Sequence, residues 1–88
     1  MRTKDFYQLK QAGFSFKDKS LQKEIWELCY PVEKPTIRIN IECMPTGDEF
    51  MFDFRVYETK TNTEIYYQVG QNAELLTILI EKAKKGEL

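Results

Sequence analysis

The chain has no histidine among its 88 residues, and that absence excludes more chemistry than any other feature. Without imidazole there is no Ser-His or Cys-His nucleophile pair, no proton shuttle with an ordinary pKa near neutrality, and no His-ligated zinc. Cysteine is nearly as scarce. Cys29 and Cys43 are too few for a four-thiolate site. The start, Met1-Arg2-Thr3-Lys4-Asp5, leads into a polar stretch without an apolar core, so both thiols are expected free in a reducing cytoplasm. The longest strongly apolar stretch, Leu75 to Ile80, is six residues and includes Thr77. A membrane helix needs about twenty. The four glycines stand singly at 13, 47, 70 and 86, so no phosphate-cradling loop is present. An excess of charge is missing too: 13 basic against 14 acidic side chains leave −1, which argues against bulk-charge adhesion to nucleic acid or acidic lipid.

What is present reads as one small globular domain over residues 1–88, with 42% hydrophobic and 31% charged residues. The charge is not evenly spread. Residues 1–35 carry +2, residues 36–70 carry −3, and residues 71–88 are neutral.

The spacing predicts a first helix from Thr3 to Gly13, with Asp5 in its first turn and Gly13 as its stop. A second helix is expected from Asp18 or Ser20 to Cys29, because Leu21, Ile25, Leu28 and Cys29 fall at helical spacing. From Pro35 the period changes to two. Ile37, Ile39, Ile41 and Cys43 alternate with polar residues, as do Phe50, Phe52, Phe54 and Val56. With Pro45-Thr46-Gly47-Asp48 as the turn, the expected register sets Cys43 against Phe50, Ile39 against Phe54 and Arg38 against Arg55. A third strand, Glu64 to Val69, is expected to turn Ile65, Tyr67 and Val69 inward. Asn72 caps a last helix whose buried face is Leu75, Leu76, Leu79, Ile80 and Ala83. The fold class is therefore α+β: a three-stranded antiparallel meander with a C-terminal helix on one face and one or two N-terminal helices, in the order α-α-β-β-β-α.

The outer face of that meander is the candidate site. Arg38, Met51, Arg55, Tyr57 and Tyr66 form its interaction-prone part, alongside Asn40, Glu42, Asp53 and Gln68. Arg, Tyr and Met are enriched in protein interfaces; the competing reading is a solvated face. Asp48 and Glu49 at the hairpin tip, with Glu42, resemble turn residues more than a spaced calcium loop, so no metal and no cofactor are expected. No catalytic constellation is found.

Read from the second helix onward, over residues 18–86, the order α-β-β-β-α is similar to that of the double-stranded RNA-binding domain. That resemblance implies duplex recognition through the first helix, the β1–β2 loop and lysines opening the last helix. The loop Met44-Pro45-Thr46-Gly47-Asp48 lacks the family's Gly-Pro-x-His pattern, and Gln71-Asn72-Ala73-Glu74 stands where its lysines belong. No RNA-binding residue carries over. A basic start remains, six Lys/Arg against two Asp in the first 23 residues, with Lys10, Lys17 and Lys19 as the nucleic-acid candidates among aromatics. The leading expectation is a non-enzymatic, cytoplasmic protein-interaction module: an adaptor, inhibitor or accessory factor of the kind that phages and mobile elements encode in number. Nucleic-acid binding is the alternative, and a homodimer through an exposed edge, either Thr36–Met44 or Glu64–Val69, is a third reading.

Overall fold

The computed structural model describes residues 8–20, 23–44 and 51–88, with the side chains of Lys19, Ser20 and Met44 left aside. It contains a five-stranded antiparallel sheet in sequence order: β1 (Ser15–Ser20), β2 (Lys23–Tyr30), β3 (Ile37–Met44), β4 (Met51–Glu58) and β5 (Thr63–Gly70). A short helix, α1, is described over residues 8–11, and α2 spans Ala73–Lys84. The order is thus α-β-β-β-β-β-α, which corrects the three-stranded meander while keeping an α+β fold.

The expected second helix is a hairpin of two strands. Along β2 the buried positions are Glu24, Trp26 and Leu28, a period of two rather than 3.6. Helical spacing arose there because Ile25 and Cys29 sit on the outer face while a carboxylate, Glu24, occupies an inner position. That exchange blurs the alternation that marks a strand. Tertiary pairing of Trp26 with Ile41 and of Leu28 with Ile39 decides the matter. The change also removes the helix on which the likeness to the double-stranded RNA-binding domain depended. Strand β3 is now central, so Thr36–Met44 is no free edge.

The β3–β4 pairing keeps the expected faces but slides by two residues. Cys43 faces Phe52, Ile41 faces Phe54, Ile39 faces Val56, and Arg38 faces Tyr57 rather than Arg55. A two-residue slip preserves every inside-outside assignment, so apolar alternation alone does not distinguish the two registers. The turn Pro45-Thr46-Gly47-Asp48, Glu49 and Phe50 lie outside the described residues.

The third expected strand, observed as β5, is inverted. Tyr66 pairs with Val56 and Gln68 with Phe54 on the inner face, whereas Tyr67 and Val69 point outward. Ile65 is the extra residue of a bulge between the Val56–Tyr66 and Tyr57–Glu64 pairs.

Both helices cover the same face. Leu76, Leu79, Ile80 and Ala83 of α2 join Leu9, Phe14, Trp26, Ile39, Ile41, Phe52, Phe54 and Val56 in one buried cluster. The buried stripe of α2 is as expected, with Leu75 half-buried. Asn72 caps the helix, its Oδ1 accepting from the Leu75 amide at 2.7 Å. Alongside α2, the Gln8 amide donates to Thr77 Oγ1 and Lys84 Nζ donates to the Ala12 carbonyl at 3.2 Å. Gly13 ends the α1 segment with φ +99°, a value that favours glycine. Thr3, Asp5 and Phe6 lie outside the described residues.

Gly70 closes β5 at the tightest point of this packing. A Cβ there would lie 2.3 Å from Phe52 Cζ and 2.9 Å from Leu75 Cδ2. Gly70→Ala is therefore expected to destabilise by about 1–3 kcal/mol through overpacking. Urea unfolding checks this, with the outward Val69→Ala as a control of smaller effect. A Gly70→Ala midpoint at or above that of the wild type would refute it.

Candidate interaction face

Because β2–β5 send their inner residues into the helix-covered core, the alternate residues gather on the opposite face. No described helix lies there. Its central charge is Arg55, in the middle of β4. Arg55 Nε stands 3.3 Å from Glu64 Oε1, and its Nη1 stands 3.7 Å from Asp53 Oδ2 and 4.0 Å from Glu42 Oε1. The Glu64 contact spans β4 to β5, and the Glu42 contact spans β4 to β3. The guanidinium also lies 4.4 Å from the centroid of the Tyr67 ring, a cation–π stack. Lys23 Nζ at 4.0 Å from Glu42 extends this network to β2. Each ion pair is partly solvated and worth about 0.2–1 kcal/mol; their joint effect is to hold Arg55 in one orientation.

Arg38 is placed differently. Its guanidinium lies 4.6 Å from the Tyr57 ring centroid, and Nη2 donates to Asn62 Oδ1 at 3.0 Å. Asn62 adopts φ +55° in the β4–β5 turn, a conformation asparagine tolerates better than most residues. Arg38 Nε is buried with no hydrogen-bond acceptor, and among the described residues no carboxylate pairs with Arg38. Among the described residues the face thus carries one arginine ringed by carboxylates and one with none, each stacked on a tyrosine.

Of the residues singled out in the sequence, Arg38, Met51, Arg55 and Tyr57 share this face and are half-buried. Tyr66 does not belong to it. Its ring packs edge-on at 6.2 Å from Phe54, and its hydroxyl donates to Gln68 Oε1 on the inner side. Tyr67 takes its place. Sequence reasoning missed Tyr67 and Val69 because Ile65-Tyr66-Tyr67 is an unbroken apolar run through a bulge, where parity is lost. It misses Ile25 and Cys29 because their helical spacing puts them on a buried stripe. Lys10 is exposed in α1 and Lys17 is exposed at the bulge of β1; Lys19 lies opposite Glu24. Among the described residues no group of three or more Cys, Asp or Glu is arranged to hold a metal ion. No helix among them is long and apolar enough to cross a membrane.

The two thiols separate by face. Cys29 is exposed opposite Arg38, while Cys43 is buried opposite Phe52. A thiol reagent is accordingly expected to modify one equivalent per native chain and two after unfolding. Cys29→Ser should abolish the native reaction; persistence of a fast native thiol in that variant would contradict the face assignment.

Comparison of the chain with protein-family models, with curated proteins and with solved structures found no match.

Proposed function

We propose that the protein is a non-enzymatic docking module that engages a protein partner through the open face of the sheet. The observation that carries this reading is the pair of Arg–Tyr stacks, Arg38 on Tyr57 and Arg55 on Tyr67, on the face opposite the described helices. Arginine and tyrosine contribute large contact area with directional hydrogen bonding, which is why they concentrate where interfaces bind most strongly. Arg55 is already held by Glu42, Asp53 and Glu64, so little side-chain freedom is lost when a partner covers it. Among the described residues no carboxylate pairs with Arg38, and a partner fitting the face supplies one. Met51 and Ile25 add half-buried apolar surface beside these groups.

A cytoplasmic setting belongs to the same proposal: Cys29 and Cys43 lie on opposite faces and neither is in a disulfide. Arg38→Ala with Tyr57→Ala is expected to leave the melting temperature within a few degrees of wild type. The same variant should reduce recovery of a crosslinked partner by about tenfold or more, since central interface residues each contribute about 1–2 kcal/mol or more. An unchanged crosslinked partner would overturn the proposal. So would salt-sensitive RNA or DNA binding lost on joint substitution of Lys10, Lys17 and Lys19 by Ala, which identifies the alternative.

A further inference from the structure

The two edges of the sheet are built differently. Strand β1 has a bulge between Phe16 and Asp18, and three consecutive charged residues, Lys17, Asp18 and Lys19, at its centre. These are the devices by which edge strands avoid pairing with another chain. Strand β5 has few of them. Over Tyr66–Gly70, past its own bulge at Ile65, it carries no charge and no proline. Its outward side chains Tyr67 and Val69 are 48% and 49% exposed, and Ile65 is 55% exposed. The nearest charge on the strand, Glu64, is engaged by Arg55.

The pattern of this edge is self-complementary. We propose that two copies of the chain associate through β5, paired antiparallel about a two-fold axis at Gln68, so that their sheets become continuous. In that register Tyr67 of each copy lies opposite Val69 of the other on the outer face, an aromatic–aliphatic pair that sheets favour. Tyr66 lies opposite Gly70, which brings no side chain of its own to the pair, the space over it being filled by Phe52 and Leu75. Gln68 meets its own counterpart, and no charged residue faces another. The edge of β5 that has no neighbouring strand among the described residues acquires one, and the two outer faces merge into one wider face without being covered. Dimerisation is thus separate from the docking proposal: either can hold without the other.

A five-residue ladder with two outer pairs is smaller than a standard interface, so the dissociation constant is expected at about 10–100 µM. Sedimentation equilibrium across that range should show the mass rising from 10.5 kDa toward twice that value. Tyr67→Lys with Val69→Lys places like charges on the edge and should weaken association at least about tenfold while leaving the circular dichroism spectrum intact. Hydrogen exchange supplies a second readout on the unmodified chain. Amides of Tyr66–Gly70 should gain protection as concentration rises, and those of β1 should not. A wild-type chain that remains monomeric at about 0.5 mM refutes the proposal, since that lies well above the expected constant. A dimer that survives the double substitution, or protection that grows on β1 instead of β5, refutes it equally.

Discussion

The structure depends on one seal: the inner face of the sheet against α2 and the residues around Leu9 and Phe14. Trp26, Ile39, Ile41, Phe52, Phe54 and Val56 each bury against that layer, at about 1.5–3 kcal/mol apiece for a fully buried apolar side chain. A chain this short buries only roughly 60–65% of its unfolded surface, and the described elements form two layers, the sheet and the helices on one side of it. With both described helices on one side, the other side of the sheet is left for polar and amphipathic residues. The open face is a consequence of how the seal is made.

That consequence explains the chemistry of the face. A sheet exposed on one side needs outward residues that tolerate water yet hold their shape, and Arg stacked on Tyr satisfies both demands. Around Arg55 the carboxylates come from three strands: Asp53 is on its own strand, and the pairs with Glu42 and Glu64 exist only because β3 and β5 flank β4. Arg38 sits nearer the β4–β5 turn and donates to an amide, Asn62, with no carboxylate against it among the described residues. Two arginines on adjacent strands, offset by two residues in register, therefore have different electrostatic surroundings, which no net-charge argument reveals. The contrast between the edges has the same origin: order in the sheet decides which strand is left without a neighbour.

Elements whose pattern is locally unambiguous were legible. Ile37–Cys43 and Phe52–Val56 alternate without a fault, and α2 has its cap, its buried stripe and Gly86 beyond its end. Where apolar residues occupy both faces, legibility fails. In β2, Ile25 and Cys29 outside with Glu24 inside imitate helical spacing. In β5, consecutive Ile65, Tyr66 and Tyr67 leave the parity open, and the bulge at Ile65 resets it. These are the places that moved Tyr66 off the candidate face and brought Tyr67 and Val69 onto it.

The sequence alone determined that His-dependent chemistry is excluded, that β3 and β4 are strands with one buried face, and that Arg38, Met51, Arg55 and Tyr57 share the other. Period and composition carry that information, since side-chain direction follows from position along a strand. Tertiary structure alone decided the hairpin of β1 and β2, the two-residue slide between β3 and β4, and the inversion of β5. Each of those depends on which residues meet across strands, and pairing between distant segments is not written in the spacing of either one.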